Sequence, residues 1–206
     1  MIYDNYKNIA DNIGAANLLV VSKYQGIDKI QELYDSGVRL FGENRIEELK
    51  IKYSELPKDI CWHFIGRIQS KKIKDIVKYA DLIHSVDSFK ALTIINKEAE
   101  KINKIQKVLI QLNVSNEESK TGFDERDLSS IIIEVSNYTN IEVVGLMTMA
   151  PFTDDKAILR DVFSKMKNCY DQYHFSVLSM GMSNDYKIAL EYGANLIRIG
   201  TSIFSD

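Results

Sequence analysis

A chain of 206 residues with 45% hydrophobic and 27% charged residues has the composition of a globular protein with a real core, in one large domain or two small ones. The net charge of −3 gives no global reason to expect nucleic acid or an anionic membrane as a partner. No apolar run approaches the roughly 20 residues of a membrane span, and the N-terminus lacks a signal peptide's basic and apolar regions, so we expect a cytoplasmic protein.

Short β-branched runs alternate with longer amphipathic runs along the chain, as βαβ units require. The predicted strands cover residues 18–22, 38–42, 61–65, 82–86, 107–114, 141–147, 175–180 and 196–199. Helical patterns fill an N-terminal segment and residues 28–37, 45–56, 70–79, 88–103, 124–138, 154–173 and 185–192. Asp28 is predicted to cap the helix at 28–37 and Gly37 to end it.

The apolar character of the strands indicates how they are arranged. LLVV at 18–21 and IEVVGLM at 141–147 are almost continuously apolar, which is typical of parallel strands covered on both faces. Eight strands, seven intervening helices and one N-terminal helix predict an α/β fold, a single TIM-type (β/α)8 barrel formed by residues 1–206 as one domain. A doubly wound open sheet remains the alternative.

In a β/α barrel the functional groups follow the strands, at their C-terminal ends. Lys23 directly follows the first strand, where we expect it to be partly desolvated, and a desolvated lysine more readily supplies the free amine that imine formation needs. A solvated lysine at a strand end is an equally good interpretation. The other residues that follow predicted strands are Glu43, Asn44, Gly66, Asp87, Ser115, Met147, Thr148, Gly181 to Ser183, Gly200 and Thr201.

The segments after the last two strands are rich in small residues. SMGMSND and RIGTS can bring backbone N–H groups close to an anion, and phosphate sites in barrels often follow strands 7 and 8. Ser183 would lie near the start of the next helix, which favours a phosphate, although a tight turn with a capping serine explains the same pattern. Arg198 should face the same side as Gly200, and if buried it needs an acceptor.

Other kinds of site have little support. The spacing of His63, His84 and His174 does not suggest a metal site, and His63 alone reads equally as a core histidine with satisfied hydrogen bonds. The two cysteines do not suggest a disulfide framework. The basic cluster within residues 67–78 is interpreted as a solvated helix face, with an anion, RNA or protein contact as the alternative.

Taken in order, the motifs of the chain resemble one family, the YggS/PROSC family of pyridoxal phosphate homeostasis proteins, which is related to the barrel domain of alanine racemases. The resemblance runs from about residue 18 to the C-terminus. The motifs that carry it are VSK at 21–23, FGEN at 41–44, WHFIGRIQSKK at 62–72, SNEESKTG at 115–122, GLMTM at 145–149, LSMGMSND at 178–185 and RIGTSIF at 198–204.

The resemblance implies a barrel that carries pyridoxal 5′-phosphate (PLP) as a Schiff base on Lys23. It places Ser183, Gly200 and Thr201 around the phosphate and Arg198 opposite the pyridine nitrogen. Asn44, His63 and Met182 match motif positions that line the pocket. It further implies a role in PLP homeostasis, with PLP-dependent apo-enzymes as recipients, a monomeric state, and neither an established turnover nor a metal.

Two alternatives to this function stay open from the sequence. An amino-acid racemase would share the barrel and the lysine, but two-base racemisation needs a second acid/base opposite Lys23. A regulatory binding module would instead use the basic segment 67–78 to dock another macromolecule, and its binding would weaken with salt.

Overall fold

The computed structural model describes residues 1–115 and 121–205, so most of the SNEESKTG motif at 115–122 lies outside the described residues. The strands of the described chain close into one parallel barrel in sequential order. They are β1 Asn17–Val21, β2 Leu40–Glu43, β3 Cys61–Phe64, β4 Leu82–Val86, β5 Gln106–Gln111, β6 Ile141–Met147, β7 Val177–Ser179 and β8 Leu196–Ile199. β1 pairs with β8 from Asn17↔Leu196 to Val20↔Ile199, which confirms the TIM-type barrel and excludes the open sheet.

Helices surround this barrel, as the alternation of periods predicts. Within the described ranges they are α1 Ile2–Ala10, α2 Ile27–Asp35, α3 Ile46–Glu55, α4 Ile73–Tyr79, α5 Phe89–Glu100, α6 Leu128–Val135, α7 Lys156–Asp171, α8 Tyr186–Glu191 and α9 Thr201–Phe204. The sequence did not predict α9. It packs against α1, where the Asn5 amide donates to the carbonyls of Ile203 and Ser205. None of the helices described is long and apolar enough to cross a membrane.

Two apolar layers hold the barrel, because alternate residues of each strand face opposite sides. In β1, Leu19 packs inside the barrel with Leu82, Leu109, Met147 and Leu196. Leu18 and Val20 face the helices and belong to the larger outer core. Lys23 continues the inward series of Leu19 and Val21, whereas Ser22 continues the outward series.

The predicted element ends need small corrections. Helix α2 begins at Ile27 with Gly26 as its N-cap, so Asp28 lies in the first turn, where its charge favours the helix dipole, and does not cap it. Gly37 does end the helix, with φ +98° and its N–H bonded to the Tyr34 carbonyl. The predicted strand at 107–114 ends at Gln111; beyond it Leu112 forms an isolated bridge with Phe123, and Asn113 N–H donates to the Phe123 carbonyl.

Candidate functional site

A cavity of about 480 Å³ opens at the C-terminal ends of the strands. It brings together seven of the eight residues that the sequence nominated for cofactor contact: Lys23, Asn44, Met182, Ser183, Arg198, Gly200 and Thr201. Val21, Ile65 and Met147 form its floor, and the segment after β6, at residues 149–153, forms one wall. The sequence reasoning did not single out this wall, although GLMTM stood among the motifs of the resemblance.

Lys23 lies on the cavity wall directly after Ser22, the first residue beyond β1. Its side chain is exposed, so the prediction of a partly desolvated lysine is wrong. Tyr24, the next residue, has φ +64°, a left-handed conformation that is uncommon for a side chain of this size.

Arg198, by contrast, is buried, as its place within an apolar strand predicts. Its Nη1 donates to Ser179 Oγ at 2.6 Å and its Nη2 to the Thr148 carbonyl at 2.9 Å. Burial lowers the pKa of the guanidinium to about 10, with Asp185 acting in the opposite direction. Arg198 therefore remains a cation at neutral pH. Ser179 was missed as its partner, although a serine inside the apolar run FSVLSM was a usable signal.

A chain of hydrogen bonds continues from Arg198 through the barrel interior. Ser179 Oγ lies 3.1 Å from His84 Nδ1, and His84 Nε2 lies 2.9 Å from His63 Nδ1. Burial lowers the pKa of His84 well below its usual value and that of His63 to about 3, so both rings are neutral.

Arg198 can only donate, so Ser179 Oγ accepts from it, which leaves the serine proton available for His84 Nδ1. In that arrangement His84 carries its proton on Nε2 and donates it to His63 Nδ1. His63 then carries its own proton on Nε2, which faces Cys61 Sγ at 3.6 Å.

His63 is the one nominated residue that the structure places elsewhere. It is not among the described residues that line the 480 Å³ cavity. Together with Cys61 it lines a second cavity of about 300 Å³ at the opposite mouth of the barrel, where the strands begin. Among residues 1–115 and 121–205, no group of three or more histidines, cysteines and carboxylates is arranged to hold a metal ion.

The turn after β7 and the end of β8 form one side of the cavity. Gly181 has φ +93°, and Met182 N–H donates to the Asp185 carboxylate at 2.6 Å, which turns Ser183 toward the cavity just before α8. Gly200 lets β8 pass close to β1, because a Cβ there would lie 3.0 Å from the Val21 carbonyl oxygen. Thr201 follows as the first residue of α9.

None of the residues of the basic cluster at 67–78 lines this cavity. Lys72 pairs with Glu47 at 2.7 Å, and Lys78 lies over the Tyr79 ring. Arg67, Lys71 and Lys74 are exposed. The segment thus has the structure of a solvated helix face, in keeping with the first of its two interpretations.

Comparisons with known proteins agree with the resemblance seen in the sequence. Residues 1–206 match the family model described as alanine racemase, N-terminal domain. The pyridoxal phosphate homeostasis protein of Aquifex aeolicus is 38% identical over 198 residues, which span 93% of this chain and 87% of that protein.

Solved structures give the same result. PipY of Synechococcus elongatus PCC7942 covers 100% of both chains, with a TM-score of 0.94 and 31% identity in the structure without PLP, and 0.91 and 30% in the structure with PLP bound. An alanine racemase from Bartonella henselae shares the fold, with a TM-score of 0.83 at 17% identity, but this chain spans 58% of it. The chain therefore belongs to the alanine racemase N-terminal domain family and, within it, to the pyridoxal phosphate homeostasis proteins.

Proposed function

We propose that this protein binds PLP through a Schiff base on Lys23 and serves in PLP homeostasis in the cytoplasm, with residues 1–206 acting as one PLP-binding domain. The observation that carries the proposal is the meeting in one cavity of an amine, a buried guanidinium and two hydroxyl-bearing turns, contributed by Lys23, Arg198, Ser183 and Thr201. These groups match the aldehyde, the pyridine nitrogen and the phosphate of PLP.

The residues present fit this cofactor. Asn44 Oδ1 is buried and has no hydrogen-bond partner among the described residues, so it is an acceptor that a ligand hydroxyl could satisfy. The cavity volume is also within the range usual for small-molecule sites. Lys23 Nζ would hold PLP by a bond to the aldehyde carbon that the cofactor supplies, with the carbonyl oxygen leaving as water.

The charge and exposure of the site support a carrier. A cationic Arg198 facing the pyridine nitrogen disfavours protonation of that nitrogen, which weakens the ring as an electron sink. Water reaches Lys23 because its side chain is exposed, so the bond to the lysine can be hydrolysed again. We therefore propose a reversible tether, without a turnover of its own, that supplies PLP-dependent apo-enzymes.

The other nominated residues have positional roles in this proposal. Ser183, Gly200 and Thr201 would hold the phosphate, and Asn44 and Met182 would contact the ring. His63 would have no direct contact with the cofactor and would be joined to Arg198 through His84 and Ser179. The likeness to alanine racemase shows the fold alone, so it does not favour the racemase alternative. Exchange of the α-proton of alanine at useful turnover would favour that alternative.

Replacing Lys23 tests the proposal directly. We expect the unaltered protein, after incubation with PLP and borohydride, to carry a reduced adduct on Lys23 by peptide mass mapping. Lys23→Ala should lose the adduct completely and bind PLP at least about tenfold more weakly. Because the Lys23 side chain is exposed, the free energy of unfolding of Lys23→Ala should differ from that of the unaltered protein by no more than about 0.5 kcal/mol.

Lys29→Ala, at an exposed lysine on α2 outside the cavity lining, is the matched control and should keep the adduct. An adduct on another lysine, or none in the unaltered protein, would overturn the proposal.

A further inference from the structure

A buried ion pair lies directly behind Lys23, on the outer side of the barrel wall. Ser22 and Glu43 follow the outward series of β1 and β2 and so face α3. Lys52 of α3 reaches between the strands, with its Nζ 2.5 Å from Glu43 Oε1, and Ser22 Oγ donates to the same oxygen at 2.7 Å. The side chains of Lys52 and Glu43 are 6% and 0% exposed.

The buried Lys52–Glu43 pair is poorly suited to stabilise the fold. Moving two charges out of water costs free energy that their attraction recovers only when every polar atom is satisfied. Here Glu43 Oε2 is buried and has no hydrogen-bond partner in the described parts of the chain. Burial also raises the pKa of the Glu43 carboxyl against the opposing effects of Lys52 and Ser22. Replacing a buried ion pair by apolar side chains of similar volume is often neutral or stabilising, so stability does not account for this pair.

The explanation lies in the backbone atoms that helix α3 holds. Lys52 Nζ donates to the Ser22 carbonyl at 2.8 Å, and Tyr24 N–H donates to Glu48 Oε2 at 3.2 Å. Glu48 and Lys52 are one turn apart on α3, with the charged atoms 3.6 Å from each other. The peptide groups on both sides of Lys23 are thus bound by neighbouring side chains of one helix. These contacts support the left-handed φ of +64° at Tyr24.

We propose that Lys52 and Glu48, with Glu43, are positioning residues that hold the backbone on both sides of Lys23 and so direct its Nζ into the cavity. The inference rests on the proposed function and extends it to residues that do not line the cavity. In this arrangement the backbone on both sides of Lys23 is held by α3, while the Lys23 side chain stays exposed.

Variants at Glu48 separate the hydrogen bond from the charge. Glu48→Met cannot accept from Tyr24 N–H, so we expect slower Schiff base formation with PLP, by about tenfold in stopped-flow absorbance. Hydrogen exchange at the Tyr24 amide should accelerate by about the same factor. Glu48→Gln keeps an acceptor oxygen and should recover most of the lost rate, which a purely electrostatic role of Glu48 would not allow.

A double variant tests the buried pair without leaving a lone charge. Lys52→Met with Glu43→Gln removes both charges and the donor to the Ser22 carbonyl. We expect Schiff base formation with PLP, which we call capture, to slow by about tenfold or more. Ile131→Ala, in α6 across the barrel from β1 and β2, is the control for general loss of packing. It should capture PLP at the rate of the unaltered protein.

The possible outcomes separate the two proposals. Capture at Lys23 by the unaltered protein, with unchanged rates in Glu48→Met and in the double variant, overturns the positioning role and leaves the proposed function intact. Equal slowing in Ile131→Ala also overturns it, because the effect would then follow stability. No capture by the unaltered protein overturns the proposed function and this inference with it.

Discussion

Gly66→Ala should lower the free energy of unfolding by about 3 kcal/mol or more and weaken PLP binding at the same time. A Cβ at residue 66 would lie 1.8 Å from the Asn44 carbonyl oxygen and 2.8 Å from its Cα. Both are backbone atoms, so no side-chain rotation relieves the overlap, and the end of β2 has to move. Because Asn44 lines the cavity, the same movement disturbs the site. Urea unfolding and a PLP titration measure the two effects.

Gly26→Ala is the matched control for this prediction. No atom lies within 4 Å of a Cβ built on Gly26, and its φ of −69° suits any residue. The free energy of unfolding of Gly26→Ala should stay within about 1 kcal/mol of that of the unaltered protein. Equal stability of the two glycine variants would show that β2 and β3 do not approach as closely as described.

Acid should destabilise the protein from near neutral pH, because two neutral histidines are buried in the barrel. Burial lowers the pKa of His63 to about 3, whereas in the unfolded chain a histidine titrates near ~6.5. Between these values the unfolded state binds the extra proton, so this stability is fully present above pH 6.5 and is lost as the pH falls toward 3. At pH 5 the loss from His63 is about 2 kcal/mol.

His84 adds to this loss in the same direction, since burial also lowers its pKa. Glu43 acts in the opposite direction, because its raised pKa lets the folded state take up a proton first.

A comparison of variants isolates the contribution of His63 to the pH dependence of stability. In His63→Gln, the difference in unfolding free energy between pH 7 and pH 5 should be smaller than in the unaltered protein by about 2 kcal/mol, as measured by urea unfolding. His174→Asn, at an exposed position, is the control. If the unfolding free energy of His63→Gln changed with pH as much as that of the unaltered protein, the prediction would be contradicted.

Much of the fold follows from local patterns in the sequence. The alternation of β-branched and amphipathic runs predicted the barrel because strand and helix periods are set by which residues face apolar surroundings. The same reasoning located the cavity, since parallel strands bring their C-terminal ends to one face, and Lys23, Ser183 and Gly200 each follow such a strand. Helix α9 escaped prediction because four residues are too short to show a helical period.

The burial of Lys52 could have been predicted from the periodicity of α3. In α3 it is buried together with Ile46 and Leu49, at the three-residue spacing of one apolar face. A lysine on such a face must meet an acceptor, and in the structure that acceptor is Glu43 at the end of β2, nine residues earlier in the chain. What the periodicity could not supply was the partner's identity, because a buried contact between a helix and two strands depends on their packing.

The sequence by itself determined that Lys23 follows the first strand of a parallel barrel and faces the same mouth as the turns after strands 7 and 8, since these features depend on short-range periodicity. Only the tertiary structure decided that Lys23 is exposed, that His63 lies toward the opposite mouth, and that α3 holds the backbone on both sides of the lysine. Exposure and hydrogen-bond partners are set by groups distant in the chain, so no local pattern carries them.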